Sequence, residues 1–126
     1  MIIFKTGDLE PQFDLLDERL RHIVFALAGF VDHEFGKDFI ITSLYRDDAK
    51  SVHHWWRGCD FRIHQAGKDP YYSDEEISKI KRFCSRYEYN KDRYGINTLK
   101  VHGTPPHGHL QINDLDYTRI WREYDL

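Results

Sequence analysis

Apolar residues recur at helical spacing through the first third of the chain: Phe13, Leu16, Leu20, Ile23, Val24, Leu27 and Phe30. Steps of three and four put them on one face of a helix. Pro11 suits a first turn, where a missing N–H costs nothing, and Gly36 suits a stop. The pattern predicts one amphipathic helix of about 20 residues packed on a core. The spacing then changes. Phe39-Ile-Ile-Thr-Ser43 is a short β-branched run and predicts a buried strand that delivers Tyr45 and Arg46 at its end. Ile2 to Lys5 predicts an edge strand, and the alternation from Cys59 to Ile63 predicts another strand. Ser73-Asp-Glu-Glu76 reads as a capping box. Ile77, Ile80, Phe83 and Tyr87 then mark the inner face of a helix from Asp74 to Tyr87. Leu99–His102 and His109–Ile112 read as two strands joined by a Gly/Pro loop. Ile120, Trp121 and Tyr124 suggest a short closing helix. The sum is an α+β fold: a small, mainly antiparallel sheet with helices packed on one side.

Composition narrows the function classes. The 126 residues are expected to form a single domain, residues 1–126, able to bury a core without disulfide staples. A formal net charge of -3 gives no basic footprint for nucleic acid. No apolar run approaches the ~18 residues that span a bilayer, so no membrane partner is expected. The N-terminal Met1-Ile-Ile-Phe-Lys5 lacks the apolar core and cleavage site of a secretory signal, so synthesis and folding in the cytoplasm are expected. The two cysteines, Cys59 and Cys84, have no CxxC spacing and read as separate buried thiols. Aromatic residues make up 15% of the chain, more than a core of this size needs, so Trp55-Trp56 and Tyr71-Tyr72 are candidates to line a groove. A monomer is expected.

Chemistry concentrates in two segments, Ser51-Val-His53-His54-Trp-Trp-Arg57-Gly58-Cys59-Asp60 and Pro106-His107-Gly108-His109-Leu110-Gln111-Ile112. They supply imidazoles and a carboxylate, the ligand types of a zinc site that keeps one position open. His107 and His109 are two apart, so on a strand both look to one face. His53 and Asp60 are seven apart. On a continuous helix their Cα atoms would be about 10 Å apart, awkward for two ligands each ~2 Å from one ion. Gly58 argues against such a helix, so the chain is expected to turn after His53 and leave as the strand carrying Asp60.

Ser51-x-His53, Asp60 and His107-x-His109, in this order and spacing, resemble the zinc site of the D-alanyl-D-alanine metallopeptidases. That group is similar in fold to the phage L-alanyl-D-glutamate endolysins, the penicillin-insensitive murein endopeptidases and the Hedgehog signalling domain. Ile41-Thr-Ser-Leu-Tyr-Arg46 resembles the family's Ser-Gly-Tyr-Arg segment. Pro106-His-Gly-His-Leu-Gln-Ile112 resembles its Pro-His-x-His-Leu-Gln ending. The match runs from Phe39 to Ile112, and the stretch from His64 to Lys100 carries no motif. The resemblance implies one Zn2+ per chain, held by His53, Asp60 and His109. It implies that Ser51 hydrogen-bonds near the site and that Arg46 holds a substrate carboxylate or carbonyl oxygen, work suited to a planar permanent cation. His107 becomes the candidate base or transition-state stabiliser, with His102 the second choice.

The chain departs from the family pattern at three positions. Pro106 stands where many relatives carry Glu or Asp, Trp56 where the family usually has Gly, and Gly58 where Ala is usual. Of the remaining histidines, His54 reads as a neighbour of the site, His22 and His33 as surface residues, and His64 as sharing a face with Asp60 and Arg62. Asp47 and Asp48 read as a solvated turn. The expected function is a zinc peptidase that hydrolyses a peptide bond in bacterial peptidoglycan stem peptides, acting at the cell wall in a phage or prophage context. The alternative expectation is a zinc-stabilised binding module without turnover.

Overall fold

The computed structural model of the chain describes residues 1–64, 70–87 and 97–112. Five strands form one sheet: β1 (Ile2–Phe4), β2 (Phe39–Ser43), β3 (Gly58–Arg62), β4 (Leu99–His102) and β5 (His107–Gln111). Their spatial order is β1-β2-β3-β5-β4; β1 runs parallel to β2 and the other pairs are antiparallel. Three α-helices are described, α1 (Leu9–Asp14), α2 (Glu18–Phe35) and α3 (Asp74–Cys84), with a short 3₁₀ helix over Val52–Trp55. The α+β class and the mainly antiparallel sheet are as the sequence pattern predicts.

The long N-terminal helix is a correction. It is broken into α1 and α2 at Asp17, whose φ of -49° and ψ of 133° leave the helical region. The Asp17 side chain accepts the Arg19 N–H at 2.9 Å and grips the Arg19 guanidinium at 2.9 and 3.1 Å, so a new helix begins there. Leu16 and Leu20 are both buried across the break, so the apolar spacing runs through it unbroken. Gly36 ends α2 in the left-handed region, at φ 63°. The capping box at Ser73 and Glu76 is formed. α3 stops at Cys84, short of Tyr87, where Ser85 Oγ turns back to the Arg82 carbonyl at 2.6 Å. Tyr87 stays buried all the same. The expected closing helix near Trp121 lies outside the described residues.

Each strand has two faces, and the faces separate core from chemistry. Phe39, Ile41, Cys59, Phe61 and Leu110 are fully buried. They pack in one cluster with Leu20, Ile23, Val24 and Leu27 of α2 and Ile80 of α3. Burying each such aliphatic or aromatic side chain contributes about 1.5–3 kcal/mol. The alternate positions Asp60, Arg62, His107, His109 and Gln111 face the other way. The register pairs them directly: Asp60 lies opposite His109, Arg62 opposite His107, and His102 opposite His107.

Two local features aim the chain at that second face. The β2–β3 register shifts between Ile41 and Ser43: Ile41 opposes Phe61 while Ser43 opposes Asp60. The extra residue is a β-bulge, which turns Ser43 toward Asp60 and frees the strand end to bend. On β5, Gly108 lies flat under the Phe61 ring, and a Cβ there would come within 2.2 Å of it. The backbone of β5 therefore approaches Phe61 as only glycine allows.

Candidate metal centre

Three side chains from three elements meet on the polar face. His53 comes from the 3₁₀ helix, Asp60 from the middle of β3 and His109 from β5. Their relative exposures are 1%, 4% and 7%, so the group is shielded from water. One ligand-type atom from each lies within 4.8 Å of the others, and the three together can hold a metal ion.

The 3₁₀ helix is built to present His53. Ser51 caps it, its Oγ accepting the His53 N–H at 3.2 Å. Trp56 closes it in the left-handed region at φ 60°, and the Trp56 carbonyl accepts the Asp17 N–H at 2.9 Å, tying the turn to the start of α2. The turn after His53 and the strand through Asp60 are as the sequence spacing predicts. Gly58 makes room for the ring: a Cβ there would stand 3.1 Å from His53 Cγ and 2.9 Å from Val52 Cγ2.

Hydrogen bonding fixes which nitrogens are free. His53 Nδ1 lies 2.6 Å from the Leu44 carbonyl, an acceptor, so it carries the proton. His53 Nε2 is then a bare lone pair; it is buried, has no hydrogen-bond partner, and faces Asp60 Oδ1 at 3.2 Å. On His109, Nε2 lies 2.9 Å from Gln111 Oε1. The Gln111 amide is oriented by its own Nε2, which donates to the Asn97 carbonyl at 3.2 Å. His109 Nε2 therefore carries the proton, and Nδ1 presents its lone pair to the same Asp60 Oδ1 at 2.7 Å. Two lone pairs and a carboxylate oxygen converge where all three repel. Protonating both rings would bury two imidazolium ions against one carboxylate, which is costly. One divalent cation satisfies all three atoms. Ligands held tetrahedrally at about 2.0–2.1 Å stand about 3.3 Å apart, close to the His53–Asp60 separation. The donor set fits the ion.

Burial pushes the Cys59 thiol far up, and its position in β3 puts it on the core side, so it is no ligand. Cys84 is also a free, buried thiol, pushed up to about 12 by burial.

An open cleft of about 720 Å³ reaches the group at Asp60, lined in part by Arg46, Arg62, His64, His107 and Lys5. Arg46 donates to Asp60 Oδ2 at 3.0 Å, and its side chain is half-exposed. The carboxylate that orients Arg46 is thus the candidate ligand Asp60, not Asp47 or Asp48. His107 Nε2 stands 3.9 Å from Asp60 Oδ2, and the His102 ring lies 4.6 Å from the His107 ring. Burial and the neighbouring His107 and His109 pull His102 below the usual imidazole value. His54 points elsewhere, its Nδ1 3.8 Å from Asp47. Tyr45 stacks on Trp56 with ring centroids 4.8 Å apart, and Trp55 beside them is exposed. Tyr71 and Tyr72 do not line this cleft; both hydroxyls turn to the Asp38 carbonyl, and Tyr72 is core.

Comparison with protein-family models, with curated proteins and with solved structures finds no match for this chain. The residues themselves therefore carry the reading. Gln111 is the group that sequence reasoning missed. Its signal was present, since positions 107, 109 and 111 share one strand face. No helix among the described residues is long and apolar enough to cross a membrane.

Proposed function

We propose that this protein is a zinc peptidase of the Hedgehog-like D-alanyl-D-alanine metallopeptidase type, hydrolysing a peptide bond in bacterial peptidoglycan stem peptides. The observation that carries the reading is the convergence of His53 Nε2 and His109 Nδ1 on one oxygen of Asp60, a residue that lines an open cleft. The substrate class is what the resemblance to that family implies. On this reading the protein acts at the wall, as a lysin or a virion component.

His53, Asp60 and His109 would hold the ion, and a zinc there would supply a Lewis acid for the scissile carbonyl and a water of lowered pKa. The chain's own groups do the rest. Gln111 and the Leu44 carbonyl keep both ligand rings in the tautomers that expose a lone pair. Arg46, half-exposed beside Asp60, presents guanidinium N–H groups to a substrate oxygen. His107 is the proton carrier within reach, partly exposed and next to the carboxylate. Ser51 acts on the site through the backbone of His53, by capping its turn.

A second reading, a zinc-stabilised binding module, has one observation in its favour. Asp60 is the only carboxylate among the described residues lining the cleft, so proton transfer falls on histidine alone. One experiment separates the readings. Zinc content is measured on wild type and His109→Ala, and each sample is mixed with purified peptidoglycan while turbidity is followed. One zinc per chain in wild type, lost in the variant, with clearing by wild type only, is the result expected of the peptidase. Zinc without clearing selects the binding module. No stoichiometric zinc overturns both.

A further inference from the structure

The cleft holds more positive charge than the metal group needs. Lys5, Arg46 and Arg62 line it against a single carboxylate, Asp60. Asp60 is already engaged by Arg46 and the two histidines. The side chains of Lys5 and Arg62 make no hydrogen bond or ion pair among the described residues. Arg62 is nevertheless half-buried on the polar face of β3, two residues beyond Asp60. A guanidinium drawn partly out of water with no counter-charge among the described residues loses solvation that an anion would restore.

The two cations line one cleft from opposite sides of β2. Phe4 opposes Ile41, and the Lys5 N–H continues that pairing to the Ile41 carbonyl, so Lys5 stands beside Thr42. Ile41 in turn opposes Phe61, whose neighbour is Arg62. Lys5, Thr42 and Arg62 line the same cleft from three neighbouring strands, with Arg62 two residues along β3 from Asp60. His64 lines the same wall, and its Nδ1 is shut off from solvent without a hydrogen-bond partner.

We infer that Arg62 and Lys5 form an anion subsite, distinct from Arg46, that selects substrates bearing a free carboxylate beside the bond presented to the metal group. The inference rests on the peptidase reading and specifies its substrate: an acidic stem peptide, in which a carboxamide in place of that carboxylate is disfavoured. A planar fork and an ammonium on one carboxylate form charge-assisted hydrogen bonds that a neutral amide cannot match.

The test is equilibrium binding to the zinc-loaded protein, read by calorimetry. The probes are L-alanyl-D-glutamate and L-alanyl-D-isoglutamine, which differ by one carboxylate against a carboxamide. Wild type is expected to bind the acid about tenfold or more tightly than the amide, a preference that shrinks at high salt. Arg62→Gln and Lys5→Gln are each expected to lower that preference about three- to tenfold while holding zinc as wild type does. Arg62→Lys should restore part of it. An unchanged preference in both Gln variants overturns the subsite, and so does failure of wild type to bind either probe. A preference that depends on Arg62 and Lys5, in a protein that cleaves no wall peptide, leaves the subsite standing and removes the peptidase reading.

Discussion

Gln111 Oε1 accepts the Nε2 proton of His109 at 2.9 Å, from two positions along the same strand face. This contact decides which imidazole nitrogen meets Asp60. Replacing Gln111 by Leu keeps the volume and removes the acceptor. Metal affinity is expected to fall about 10- to 100-fold, the usual effect of losing such an orienting partner. Competition with a chromogenic chelator measures it, and an unchanged affinity would show that His109 holds its tautomer by other means.

Gly108 and Phe61 make the tightest constraint on the site strand. A Cβ at Gly108 would come within 2.2 Å of the ring. Phe61 is wholly buried and cannot swing aside. Gly108→Ala is expected to destabilise the fold by about 1–3 kcal/mol through overpacking. Adding Phe61→Leu should recover part of the loss. Urea denaturation of the two single variants and the double variant gives the coupling directly.

Trp56 sits at φ 60°, where a residue with a Cβ costs about 1 kcal/mol or more. Its stack on Tyr45 at 4.8 Å offsets about 0.5–1.5 kcal/mol. Trp56→Gly removes both terms and is expected to change stability by less than about 1 kcal/mol. Trp56→Ala keeps the backbone cost, loses the stack and should be the less stable of the two. The family that the motifs resemble usually carries glycine here, and φ 60° is a conformation that glycine favours. The reverse stability order would rule out this balance.

Much of this was legible beforehand. β-branched Phe39–Ser43 and the Ser73/Glu76 box announced β2 and α3, because each is decided by residues adjacent in the chain. The trio His53, Asp60 and His109 was legible through the family resemblance of its motifs, and the three do come together. The break at Asp17 was not, since Leu16 and Leu20 continue the helical spacing across it and only the Arg19 contacts reveal the new cap. Neither was the bulge at Ile41–Ser43, which depends on what β3 presents opposite. Gln111 was overlooked because an amide two residues past a histidine acquires meaning only when the Asn97 carbonyl fixes its orientation.

Asp17 gives a pH prediction away from the metal group. Burial would raise its carboxyl, but the Arg19 contacts outweigh burial and lower it below the usual value of 3.8. A depressed carboxylate contributes stability in full above its unfolded value and loses it as pH falls through the folded one. The protein is therefore expected to lose stability progressively below about pH 5. Asp17→Asn keeps the helix cap, removes the ion pair with the buried Arg19, and should flatten that acid limb while lowering stability at neutral pH. Thermal melts from pH 7 to pH 3 with a chelator present compare the two curves.

Because core and site residues alternate along β3 and β5, one reading frame serves both. A slip of a single residue in β5 would send His109 under the helices and Leu110 into the cleft, and one in β3 would do the same to Asp60 and Phe61. The packing of Phe61 over Gly108 is what forbids the slip. Metal loading therefore reports on folding register as much as on ligand chemistry: a chain that binds its ion has already proved that its strands are in step.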